Sequence, residues 1–285
     1  MVLGHEPAGT VAKTGAGVTG WPAGTRAALE PAIYCYHCEF CRSGRHNICA
    51  NIRFLSNPLI PGFFREYVNL PAASLLPIPD SVPLDAATLI EPLAVAMHSL
   101  KFAGIQIGDR VAVFGAGPIG LLTIACLKLA GAGRIWVSEP LAHRREMAKS
   151  MGADVTIDPN QVDAARQIFT EAGNRGVDCA LDCAAKQHTT NEAIRAAANG
   201  GRVVITGIHS QCFVPMEVSP MRRKELAIFN VRRSNDEPER ARDLMVERLN
   251  WFAPMITHHR PLREIAAAFA NAEAYGEQAG KTVIV

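Results

Sequence analysis

Four cysteines stand within fifteen residues, as Cys35-x2-Cys38-x2-Cys41-x7-Cys49. Thiolates are soft ligands, and four of them closing a tetrahedron suit a structural zinc ion. Bacterial ferredoxins also begin C-x2-C-x2-C, but they continue through a three-residue gap to Cys-Pro. Here the last gap is seven residues and Ala50 follows, so the spacing favours zinc over an iron–sulfur cluster. Disulfides would need an oxidising compartment. Zinc would hold a loop that has little apolar content of its own. The other four cysteines, Cys126, Cys179, Cys183 and Cys212, fall among apolar neighbours, which predicts small buried side chains.

A second constellation begins at Val111. The run Val111-Ala-Val-Phe-Gly115-Ala-Gly117-Pro118-Ile119-Gly120 predicts a strand, a glycine turn and then a helix. Gly115 permits the tight turn, Gly117 lets the backbone approach a pyrophosphate, and Gly120 lets the helix pack on the strand. The helix N-terminus offers free N–H groups to that anion. A bare G-x-G-x-x-G is weak, but a second strand ends in an acid, Glu139, nineteen residues past Gly120. That acid can accept hydrogen bonds from ribose hydroxyls and would repel a 2′-phosphate, which favours NAD over NADP. Arg144 and Arg145 nearby pull the other way.

The elements that must position these groups alternate. Strand-like runs occur at Arg110–Phe114, Arg134–Ser138, Asp154–Asp158, Val177–Asp182, Arg202–Thr206 and Leu226–Val231. Helical patterns lie between them at 119–130, 142–151, 161–172 and 189–198. This is the mark of an α/β protein with a doubly wound, Rossmann-type parallel sheet. The first ninety residues differ. They are rich in Gly and Pro and predict an irregular β domain with short strands such as 9–12 and 66–70. The tail from about Ala253 has a helix at 262–274 and a last strand at 282–285. It is too short to fold alone, so it must pack elsewhere.

Composition narrows the function. The chain has 285 residues, 48% apolar and 20% charged, with a net charge of +2. That is too little basic excess to argue for nucleic acid, and the expectation is no nucleic-acid partner. The uncharged stretch 111–127 is interrupted by glycines and Pro118, so a membrane span is not expected. His5 and Glu6 interrupt any signal-like start, and the cytoplasm is the expected location.

With Gly4-His5-Glu6 near the start and Glu91-Pro92 before a helix, the four features occur in a familiar order. By themselves His5 is a surface histidine and Glu91 an acid beginning a helix. Together with the cysteine lobe and the glycine elbow, the chain resembles the zinc-containing medium-chain alcohol dehydrogenases, nearest the polyol (sorbitol) and threonine branch. The resemblance covers the whole chain. It implies a GroES-like catalytic domain, here incomplete, made of residues 1–91 plus 253–285, with a NAD-binding Rossmann domain at 92–252. It implies a catalytic zinc besides the structural one, with His5, Glu6 and Glu91 at its ligand positions. Such a zinc would lower the pKa of a substrate hydroxyl while NAD accepts the hydride. The resemblance also places Arg144 beside the adenosine ribose, and Thr206-Gly207 and Arg232-Arg233-Ser234 on loops toward the nicotinamide.

The implied activity is oxidation of a secondary alcohol, a polyol or sugar alcohol. Threonine or a simple alcohol is the alternative substrate, although glutamate at position 91 argues against the classical alcohol branch. Family members carry several dozen residues ahead of Gly-His-Glu, among them a cysteine ligand. The expectation is therefore a start at an internal methionine, weak catalytic zinc, and the further alternative of a catalytically impaired NAD-binding scaffold. A homo-oligomer, dimer or tetramer, is also implied, with 226–231 as a candidate edge strand pairing across a twofold axis.

Overall fold

Glycine and proline punctuate the first ninety residues, and the strands between them are short. The structure, a computed structural model, describes residues 2–285; Met1, the expected internal start, lies outside the described residues. Strands β1 (Ala8–Thr10), β2 (Arg26–Leu29) and β5 (Leu75–Pro77) form an antiparallel sheet in the order β1-β2-β5. Strands β3 (Ala32–Ile33) and β4 (Arg53–Phe54) make an antiparallel pair that brackets the cysteine lobe and its short helix α1 (Glu39–Arg42). The expected strand at 66–70 does not form. Tyr67 in that stretch is 75% exposed, so its side chain has no core face to alternate against. After α2 (Leu84–Ala87), helix α3 (Ile90–Ala103) carries the chain onward.

The middle of the chain follows the β-α-β alternation. Strands β6 (Arg110–Phe114), β7 (Arg134–Ser138), β8 (Val155–Ile157), β9 (Val177–Asp182), β10 (Ala197–Ile205) and β11 (Ala227–Asn230) form one sheet in the order β11-β10-β9-β6-β7-β8. Every pairing in it is parallel. Helices α4 (Pro118–Leu129), α5 (Ala142–Ser150), α6 (Ala164–Glu171), α7 (Thr189–Ala196) and α8 (Val218–Arg223) connect the strands. A parallel sheet is covered on both faces, so its strands are near-continuous apolar runs. Val111, Ala112, Val113 and Phe114 accordingly have no exposure, and α4 is buried from Gly120 to Leu127. The strand order reverses at β6, between β7 and β9, which makes the ends of these strands the natural ligand position.

The chain then adds α9 (Pro238–Glu247), α10 (Leu249–Phe252), the strand β12 (Ile256–Arg260), α11 (Ile265–Glu273) and β13 (Lys281–Ile284), with β12 parallel to β13. Two compact units result: Met1–Val95 with Arg233–Val285, and Ala96–Arg232. The return to the first unit comes at Arg233, earlier than the expected 253. The reason is local: the Asn235 side chain donates to the Gly44 carbonyl at 2.8 Å and accepts from the Asn47 N–H at 3.4 Å, which ties this segment to the cysteine lobe. Among the other cysteines, Cys126 and Cys179 are buried and Cys183 half-buried, but Cys212 is exposed on the loop after β10.

Candidate functional site

In the first unit the four cysteines converge. Cys35 follows β3, Cys38 caps α1, Cys41 lies within it, and Cys49 follows a 3-10 turn at His46–Ile48. Their sulfurs lie within 4.8 Å of one another, with Cys35–Cys49 at 3.5 Å, Cys38–Cys49 at 3.9 Å and Cys35–Cys41 at 4.0 Å. A tetrahedron with zinc–sulfur bonds of about 2.3 Å has edges of about 3.8 Å, so the donor set fits one zinc ion. Backbone N–H groups support the sulfurs: Cys38 donates to Cys35 at 3.4 Å, and Asn51 to Cys49 at 3.4 Å. Such donation, led by the His37 N–H, lowers the Cys35 thiol to about 5 and also lowers Cys38, while burial pushes Cys41 up to about 12.

The second group in this unit is His5, Glu6 and Glu91, whose ligand atoms also lie within 4.8 Å of one another. The His5 segment is held by backbone pairing. Gly62 N–H donates to the Val2 carbonyl at 2.7 Å, Phe64 to Leu3 at 2.9 Å, and Phe63 to Gly4 at 3.0 Å. Only glycine fits at position 62, since a Cβ there would lie 2.6 Å from the Leu3 carbonyl oxygen. Glu91 enters from the first turn of α3. Imidazole and two carboxylates form a set that suits zinc while leaving a coordination position open.

The electrostatics of this group come from residues that the sequence did not assign to it: Lys281 and Glu30 were not singled out, and Arg233 was expected toward the nicotinamide. Lys281, on β13, pairs with Glu6. Arg233 lies 3.9 Å over the Phe54 ring, and Phe54 in turn stands 5.6 Å from the His5 ring. Lost hydration, then Lys281 and Arg233, lower the His5 pKa and favour the neutral, ligating imidazole. Burial pushes Glu91 up to about 8, with the Glu30 carboxylate adding to the rise and Arg233 opposing it. Glu30 is itself raised by burial, and it accepts from the Ala32 N–H and the Tyr34 hydroxyl, each at 3.2 Å. Burial brings Lys281 down to about 8. No spacing rule points to these residues. The one readable signal is a lone charge, Lys281, opening an otherwise uncharged last strand.

In the second unit the glycine elbow has the expected shape. Gly115 takes a φ of +97°, and a Cβ there would sit 2.8 Å from that of Ala184. Gly120 abuts the Gly115 carbonyl, so helix and strand meet backbone to backbone. Gly117 caps α4, and Pro118 and Ile119 open its first turn, where proline's missing N–H costs nothing. Glu139 is 4% exposed and braces the elbow: its carboxylate accepts from the Ala116 N–H at 2.7 Å and the Leu141 N–H at 3.0 Å. A Cβ on Gly117 would come within 3.8 Å of the Arg144 guanidinium, which therefore lies beside the elbow. Arg145 donates to the Glu139 and Pro140 carbonyls and pairs with Asp158 at 3.2 Å. Thr206 is buried and bonded to Ser99 at 3.0 Å, and Gly207 follows it. Arg232 is exposed at the end of this unit, while Arg233 and Ser234, also expected toward the nicotinamide, belong to the other unit. A close backbone approach over a helix N-terminus, with an acid beneath it, fits a dinucleotide.

Two family models match: an alcohol dehydrogenase GroES-like domain over residues 1–80 and a zinc-binding dehydrogenase domain over residues 118–250. The chain is 36% identical over 240 residues to a sorbitol dehydrogenase of Bacillus subtilis (strain 168), covering 84% of this chain and 68% of that one. It is 35% identical over 274 residues to a sorbitol dehydrogenase of Gallus gallus, covering 94% of this chain and 76% of the relative. The chain belongs to the zinc-dependent alcohol and polyol dehydrogenase family. A solved zinc-binding dehydrogenase from Sinorhizobium meliloti 1021, bound to NADP, superposes with a TM-score of 0.91 at 32% identity, over 99% of this chain and 83% of that one. The two ligand groups could each hold a metal ion, and the elbow could receive a nicotinamide coenzyme.

Proposed function

We propose that the protein oxidises a polyol or sugar alcohol at a secondary hydroxyl, with zinc held by His5, Glu6 and Glu91 and with NAD as hydride acceptor. The observation that carries this is the gathering of an imidazole and two carboxylates within 4.8 Å in a chain that also builds the glycine elbow. Zinc at that position supplies a Lewis acid that lowers the pKa of an alcohol oxygen, and NAD supplies the acceptor. The chain's own residues set the conditions. Neutral His5 presents a lone pair with Phe54 tilted beside it, Lys281 pairs with Glu6, and Arg233 lies over the Phe54 ring. Cys35, Cys38, Cys41 and Cys49 hold a second zinc that shapes the lobe ending at Phe54.

Glu139 supports NAD over NADP, since an acid at the end of the second strand would repel a 2′-phosphate. Arg145 does not offset it, because its guanidinium is engaged with Asp158 and two carbonyls. The polyol class follows from the sorbitol dehydrogenases among the relatives. The test is NADH formation from a panel of sorbitol, xylitol, threonine and ethanol, measured with zinc content on the same preparation. Sorbitol or xylitol should lead, and His5→Ala should abolish the reaction. A zinc-loaded protein that reduces NAD with none of the polyols would overturn the reading.

Two coarser properties go with it. β11 is an edge strand of the six-stranded sheet, so its outer ladder can pair with a second copy, and a homo-oligomer should appear in light scattering. Among the described residues, no helix is long and apolar enough to cross a membrane. Four thiolates kept for metal fit a reducing compartment such as the cytoplasm.

A further inference from the structure

At the C-terminal end of β9 the carboxylate of Asp182 is wholly buried. One oxygen, Oδ1, accepts from the N–H groups of Ala184 at 3.1 Å and Ala185 at 2.9 Å, and from the Thr189 hydroxyl at 2.9 Å. The other, Oδ2, accepts from the Thr190 hydroxyl at 2.6 Å. The main-chain carbonyl of the same residue accepts from the N–H groups of Thr206 and Gly207, both at 2.9 Å. Thr190 Oγ1 also lies 3.1 Å from His209 Nε2. A carboxylate can only accept, and a hydroxyl has one proton. Thr190 therefore donates to Asp182 and receives the Nε2 proton of His209.

These bonds join two turns, 183–185 after β9 and 206–209 after β10. Both turns are pressed close. A Cβ on Gly115 would lie 2.8 Å from the Ala184 Cβ, and one on Gly207 would lie 2.7 Å from the Ala185 Cβ. The sheet order places β9 and β10 on the side of β6 away from β7. Glu139, at the end of β7, marks the adenosine side of a dinucleotide, and the elbow takes the pyrophosphate. The other half of the coenzyme must then run over the ends of β9 and β10.

We propose that Asp182, acting through Thr190 and His209, is the positioning residue for the nicotinamide half of the coenzyme. This rests on the coenzyme reading above. A buried carboxylate is stable here because four donors replace its water. In exchange it holds the 183–185 and 206–209 turns as one preformed floor, so that ordering them does not weaken binding.

The test is calorimetric titration of the full chain with NADH and, separately, with ADP, which carries only the adenine half and the pyrophosphate. Thr190→Val keeps the shape of the side chain and removes both of its hydrogen bonds. Asp182→Asn keeps an acceptor for the Ala184 and Ala185 N–H groups but turns an NH2 toward Thr190, reversing the chain to His209. Both variants should weaken NADH about tenfold, the value of roughly one hydrogen bond, and leave ADP within about twofold. The proposal is overturned if NADH and ADP weaken together in Thr190→Val, which would mark a general loss of structure. It is equally overturned if neither ligand moves. A parent protein that binds neither ligand removes the coenzyme reading and this inference with it. A parent that binds both, with an unmoved ratio in the variants, removes this inference alone.

Discussion

The two units of this chain reach stability by different routes. The second unit is built on apolar burial: β6 has four consecutive residues with no exposure, and α4 is buried along eight. The first unit has strands of only two to four residues in its N-terminal part. Its distinctive ties are a thiol cluster, an ion pair from Glu6 to Lys281, and backbone pairing of 2–4 with 62–64. One unit is thus a continuous apolar core, while the other adds to its own buried side chains, such as Leu89, Leu93 and Phe252, a small number of long-range polar and metal-ligating contacts that hold its N-terminal part. The lesson is where each is vulnerable. Removing one ligand should unmake part of the first unit, whereas the second should yield only where its packing leaves no room.

The sharpest test is Cys41→Ser. It should remove the zinc of the lobe and destabilise that region by on the order of 5 kcal/mol. Metal analysis and hydrogen exchange would show it. Amide protection should fall across residues 31–55 and persist in β6 and β9. Equal loss of protection in both units, or unchanged zinc, would break the comparison.

A matched pair of glycine substitutions comes next. Gly120→Ala drives a Cβ into the Gly115 carbonyl group, with the carbonyl carbon 2.9 Å away, and Gly62→Ala drives one to within 2.6 Å of the Leu3 carbonyl oxygen. Each should cost about 2–3 kcal/mol, because backbone rather than a mobile side chain must shift. Their functional effects should separate. Gly120→Ala should lose NADH binding and keep its zinc, while Gly62→Ala should displace His5, lose zinc from that group and still bind NADH. A variant that loses both ligands together would show the units to be less independent than their construction suggests.

The same contrast explains what could be read from the sequence. Strands at Arg110–Phe114, Arg134–Ser138 and Val177–Asp182 fall where β-branched runs place them, because burial on both faces leaves the apolar pattern unmixed. The helix expected from 161 starts later, at Ala164, because the Asp163 side chain caps it by accepting from the Arg166 N–H. In the first unit the spacing of the four cysteines pointed to a metal, while His5, Glu6 and Glu91 were singled out only by the resemblance; the fold brings each set together. Their surroundings were not legible. Arg233 reaches Phe54 from a left-handed backbone position with a φ of 55°, which only the folded chain selects. Glu30 and Lys281 act on groups more than twenty residues away in sequence, and no periodicity records that. Asp182 was read as the last residue of a strand, yet its carboxylate joins two turns that follow different strands.

The smallest expected effect probes the edge of the apolar unit. Trp136 is 1% exposed, and its indole N–H donates to Glu171 at 2.8 Å, while Gln167 donates to the other carboxylate oxygen at 2.8 Å. The Gln167 and Trp136 hydrogen bonds, with help from Arg134, hold the Glu171 carboxyl below its usual range. A depressed folded pKa contributes stability that is present above the unfolded value of about 4.3 and is lost as the pH falls through the folded value. The side chain is partly exposed, so the contribution is at most about 1 kcal/mol. Glu171→Gln keeps an acceptor for the indole and removes the charge. Its unfolding free energy should therefore lie below that of the parent at pH 7, with the gap closing below about pH 4. No gap at either pH value would mean that Glu171 serves Trp136 by shape and hydrogen bonding alone, without its charge. The charge at the rim of this unit would then add nothing to a core that already stands by packing.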